Sequence, residues 1–88
     1  MTGQTLTADV RDILVAVAGR LAAGPHYRII TEAERLDLIL DEVTRQHGHG
    51  LAALNLDREV RIIAPAIQWE LTHGEYSLIL RAAAGGAA

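Results

Sequence analysis

Apolar residues recur along this chain at helical spacing, and short breaks of glycine, proline and polar residues divide the runs. Val10, Ile13, Leu14, Val17 and Leu21 fall every three or four positions, which turns one helix face to a core. Thr7 stands where a hydroxyl caps the first free N–H groups, and Asp9 suits the positive end of the helix dipole. The helix stops at "AAGP": Gly24 fits the residue after a helix end, and Pro25 cannot extend it.

"HYRII", residues 26–30, has strand-like composition but no evident partner strand, so it is expected as an ordered connection that turns Tyr27, Ile29 and Ile30 to the core. A second helix opens at "TEAE", where Thr31 and Glu34 have capping-box spacing. Leu36, Ile39, Leu40 and Val43 form its stripe, and Gly48 and Gly50 break it. "LAALNL", 51–56, reads as a short helical turn, after which Asn55 or Asp57 caps a helix over about 57–73. That helix carries Val60, Ile63, Ile67 and Leu71 on one face and Ile62, Ala66 and Trp69 on the next, a pattern that makes it central. Pro65 kinks it or splits it in two. Gly74 ends the segment, and "EYSLILRAA" forms a last helix with Tyr76, Ile79 and Leu80 inward. The pattern predicts an all-α fold: a compact antiparallel bundle of five to six short helices, one domain over 1–84, with 85–88 a flexible tail or the start of a linker.

Composition fits that picture. Half of the 88 residues are apolar, and there is no cysteine to supply a disulfide, a thiolate or a Cys-based zinc site. Such a chain relies on helix packing or on association. The net charge is −3, and all eight bases are arginine. A net acidic domain argues against a nucleic-acid partner, because neutralising phosphates supplies most of that affinity. The first ten residues lack the pattern of a signal peptide, and no apolar run nears the ~20 residues that cross a bilayer. A cytoplasmic protein without membrane contact is the expectation.

Candidate chemistry is sparse. His47 and His49, two apart in "HGH", are either half of a metal site or a solvated helix end; a zinc site needs three or four protein ligands, and His26, His73 or a carboxylate must then come from elsewhere. Glu32, Glu34, Asp37, Asp41 and Glu42 crowd one helix. They read as an exposed acidic face rather than a carboxylate pair set for acid–base work. Ser77, the only serine, has no glycine-flanked elbow around it, and "GHG" lacks the lysine of a phosphate loop. No catalytic residue, cofactor or metal is expected. Trp69, the only tryptophan in a chain without phenylalanine, is expected to plug the core.

The spacing of Trp69, Gly74, Tyr76, Ile79, Leu80 and Ala82–Ala83 resembles the end of the bacterial effector-associated domains, small helical modules of the death-like type. "LNLDREVRIIAPAIQW" is similar to the helix that precedes the tryptophan in that family, and "LTADVRDILVAVAGRL" to its opening helix. Ala-Gly-Pro stands where the family often has Phe-Pro, and Pro65 departs from its pattern. The resemblance implies a death-fold-like adaptor: a non-enzymatic domain that binds its own kind and tethers an effector to a regulator in bacterial conflict or antiphage defence. Homo-oligomerisation is one expected outcome. Glu34, Asp37, Asp41 and Glu42 are then candidates for one docking surface, and Arg11, Arg20, Arg58 and Arg61 for the other. The competing expectation is a small acidic regulator, such as an antitoxin, an immunity protein or a chaperone, that masks a basic partner. A helix-turn-helix DNA binder fits less well, since 57–73 offers only Arg58 and Arg61 among acids.

Overall fold

The computed structural model describes residues 6–85. Four helices and two short strands follow in the order α1 (Ala8–Ala23), β1 (Ile29–Ile30), α2 (Glu32–His47), α3 (Leu51–Ile63), β2 (Leu71–Thr72) and α4 (His73–Ala83). Among the described residues the helices number four rather than five or six. The expected 51–56 turn and the start of the 57–73 helix are one continuous helix, and that helix ends before Pro65. Of the tail expected at 85–88, residues 86–88 lie outside the described residues, as do residues 1–5 of the expected domain.

Each helix begins where a side chain or an extended residue supplies a start. The Thr7 hydroxyl accepts from Val10 N–H at 3.2 Å. The Thr31–Glu34 capping box closes α2: Glu34 N–H donates to the Thr31 hydroxyl at 3.1 Å, and Thr31 N–H donates to the Glu34 carboxylate at 3.0 Å. An identical box, Thr72 with Glu75, opens α4 at 3.1 and 2.8 Å. α3 has only Gly50 as its N-cap, without a side-chain bond.

Pro65 decides how α3 ends. A proline disfavours helical backbone at the residue before it, and Ala64 is extended, at φ −71° and ψ 120°. The chain from 65 to 70 then runs without regular structure. It returns as β2, which pairs antiparallel with β1 in the register Ile29↔Thr72 and Ile30↔Leu71. "HYRII" therefore has a partner strand after all. Its mate lies forty residues downstream, inside a stretch with helical periodicity. Tyr27 and Ile29 are exposed, and only Ile30 of the three expected inward residues is buried. Two further bonds extend the contact: His73 N–H donates to Arg28 C=O at 2.7 Å, and Gly74 N–H to His26 C=O at 2.8 Å.

Gly74 does not end a helix; it lies in the first turn of α4. A Cβ there would sit 3.1 Å from His26 Cβ and 3.2 Å from its carbonyl oxygen, so glycine permits this close approach. The core gathers Val10, Ile13, Leu14, Val17 and Leu21 of α1 with Ile30, Ile39, Val43, Val60, Tyr76 and Leu80. Ile79 packs at its margin. Trp69 is not part of it. The indole is 64% exposed on the irregular 65–70 segment, and Tyr76 is the largest fully buried side chain. α1 has its most extensive packing with α4, with its N-terminus beside the C-terminus of α4. No described helix is long and apolar enough to cross a membrane.

Candidate functional site

An apolar groove lies between α1 and α4. Arg11 and Val15 lie one turn apart on α1, and Leu78, Arg81 and Ala82 face them from α4. The groove has a volume of about 660 Å³. Its floor is Val15, 44% exposed, and Leu78, 68% exposed. Arg11 Nε donates to the Ala84 carbonyl at 3.2 Å, which holds that guanidinium at the rim. Among the described residues neither Arg11 nor Arg81 makes an ion pair. Two unpaired cations flanking apolar side chains suit a partner that offers carboxylates around an apolar residue.

Such an arrangement exists on α2. Asp37, Leu40, Asp41 and Thr44 follow helical spacing along one stripe, and Leu40 is 42% exposed between the two carboxylates. Asp37 is exposed and has no ion pair among the described residues. Asp41 is shared: Arg20 approaches it at 2.6 Å and Arg45 at 3.5 Å. Glu42 is not on the exposed face. It is 3% exposed, points into the α1–α2 contact, and accepts from Arg20 at 3.1 Å. Burial works against the Arg20 charge, but hydrogen bonds to Asp41 and Glu42 outweigh it and raise the guanidinium's pKa. Glu34 is committed to the cap of α2.

The expected basic surface therefore disperses. Arg20 belongs to the acidic side of the molecule, Arg61 pairs with Asp57 at 2.8 Å within α3, and Arg58 is solvated. Of the four, only Arg11 lies in the α1/α4 groove. Val15, Leu78 and Arg81 complete that groove and escaped the sequence reading. The i, i+4 step from Arg11 to Val15 and the i, i+3 step from Leu78 to Arg81 were the available signals. Nothing in the sequence says that the first and last helices are neighbours.

A second polar cluster is structural. Arg35 is 6% exposed. Its guanidinium grips Glu32 with two bonds, of 2.9 and 2.7 Å, and donates to Ala64 C=O at 2.9 Å and, more weakly, to Arg61 C=O at 3.4 Å. Glu32 in turn accepts Ile67 N–H at 2.9 Å. The Tyr76 hydroxyl donates to Pro65 C=O. These bonds satisfy the backbone that Pro65 releases from helix. The hydrogen bonds from Arg35 pull the Glu32 carboxyl below its ordinary pKa, against a smaller opposing effect of burial. Burial raises the Tyr76 phenol, and the nearby Arg35 charge offsets that in part.

The histidines do not converge. His47 and His49 are exposed at the end of α2. His73 is buried, with Nε2 3.6 Å from a Glu34 oxygen, beside a cavity of about 300 Å³ also lined by Arg20, Asp37 and Leu38. No three metal-ligating side chains come together among the described residues. No protein-family model, curated protein or solved structure matches the chain.

Proposed function

We propose that this domain is a non-enzymatic interaction module that binds a like domain through opposite charge, and that it serves as an adaptor joining an effector to a regulator. One observation carries the binding part of this reading. Unpaired guanidiniums with exposed leucine and valine occupy the α1/α4 groove, while unpaired and shared carboxylates with an exposed leucine occupy α2. Surfaces of that make-up attract each other over a distance and bury apolar area on contact. The adaptor role in bacterial conflict systems rests on the resemblance of residues 69–83 to the effector-associated domains.

Sedimentation velocity over a concentration series, at low and at high salt, tests the binding part. The expected outcome is a mass that rises with concentration and falls back as salt screens the charges. A chain that stays monomeric at every concentration and salt overturns it.

A further inference from the structure

We infer that the occupant of the α1/α4 groove is the α2 face of a second copy of this chain, in a head-to-tail contact that repeats. The inference deepens the proposed function and rests on it. The complementarity is specific. The groove offers an apolar floor, Val15 and Leu78, between the guanidiniums of Arg11 and Arg81. The α2 face offers an apolar residue, Leu40, between the carboxylates of Asp37 and Asp41. Leu40 seated against Leu78 and Val15 brings each flanking carboxylate to a guanidinium. In this contact Asp37 gains its first ion pair, and Asp41 adds a third cation to the two it already meets.

Geometry sets the symmetry. Arg20 reaches α2 from one flank of α1, and Val15 lines the groove. The five residues between them turn the helix by about 140°. The two surfaces therefore look out on nearly opposite sides of α1. A two-fold pair would have to bring both surfaces of each copy into a single interface, which opposite flanks forbid. The contact is heterologous, so each added copy leaves one groove and one acidic face open, and assembly continues into a chain or closes as a ring.

The test uses three exposed positions. Arg81→Glu reverses the groove rim, Leu78→Glu places a carboxylate on its floor, and Asp37→Arg reverses the α2 face. Thermal unfolding by circular dichroism confirms that each variant folds, and sedimentation reads assembly. Each variant alone is expected to associate at least about tenfold more weakly than the wild type. An equimolar mixture of Arg81→Glu and Asp37→Arg chains is expected to associate again, because the intact groove of one meets the intact α2 face of the other. If the wild type associates and the variants do so equally, the groove and the α2 face are not the contact, although the like-binds-like reading survives. If mixing restores nothing, the head-to-tail arrangement is wrong. A monomeric wild type removes both this contact and the reading beneath it. In that case, binding of an acidic, leucine-bearing helical peptide that Leu78→Glu abolishes would assign the groove to a different protein.

Discussion

Arg35 shows how one side chain can hold a segment that has no regular structure. It spans from the first turn of α2 to the carbonyls at the end of α3. Arg35→Met removes a buried donor, strands the Ala64 carbonyl, and leaves Glu32 without its main partner. The expected loss is about 2–3 kcal/mol by urea denaturation, below the usual cost of breaking a buried pair because Glu32 is partly solvated. The same pair makes stability depend on pH. Glu32 has a lower pKa folded than its ordinary 4.5, so its contribution is present above that value and fades as pH falls through the folded one. The wild type is thus expected to lose stability on acidification more steeply than Arg35→Met. The two aromatic residues make a contrast of their own. Tyr76→Ala is expected to cost about 3–5 kcal/mol, as a large buried side chain does, whereas Trp69→Ala should fall within about 0.5 kcal/mol of the wild type. Equal losses would contradict the positions seen for these two rings.

At the scale of elements, much was legible from local pattern. The stripe and cap of α1 and the box at Thr31–Glu34 needed nothing beyond their own residues. The failures trace to residues whose meaning depends on distant partners. The sequence pattern keeps helix on both sides of Pro65, kinked there or split in two, because Ile67 and Leu71 hold the helical beat past it. Both do pack at the core margin, but from an irregular segment and a strand. Gly74 was read as a terminator, yet "THGE" at 72–75 has the same spacing as "TEAE" at 31–34, and that spacing marks the start of α4. The glycine serves the approach of His26, which only the fold reveals. The candidate site was legible in part: Asp37 and Asp41 followed from helix spacing, whereas the groove required the α1–α4 neighbourhood. The α2–α3 turn yields a further prediction. Gly48 has φ 81° and ψ −150°, a region nearly closed to other residues, so Gly48→Ala should cost about 1–3 kcal/mol. Gly50 caps α3 with extended backbone, and Gly50→Ser should raise stability by a few tenths of a kcal/mol through a new capping bond. Paired thermal melts of the two variants, moving in opposite directions, are the check.

For the molecule as a whole, the uneven placement of charge matters more than its sum. A net of −3 suggests mild mutual repulsion between copies, yet two unpaired cations, Arg11 and Arg81, flank the groove where α1 meets α4, and Asp37 stands unpaired on α2. Raising salt is therefore expected to weaken any self-contact while leaving the unfolding midpoint of the isolated domain nearly unchanged, since the Arg35 guanidinium at the centre of the clasp is buried. Light scattering and a urea titration, each at two ionic strengths, separate the two effects.

The pairing of α1 with α4 has one more consequence, which concerns synthesis. The first helix leaves the ribosome with its most extensive mate still untranslated, and the part of the Val10–Leu21 stripe that meets α4 stays uncovered until nearly the whole domain has emerged. Nascent chains stalled at residue 70 should therefore be protease-sensitive throughout, and protection should arrive abruptly, not stepwise, once the closing helix clears the exit tunnel.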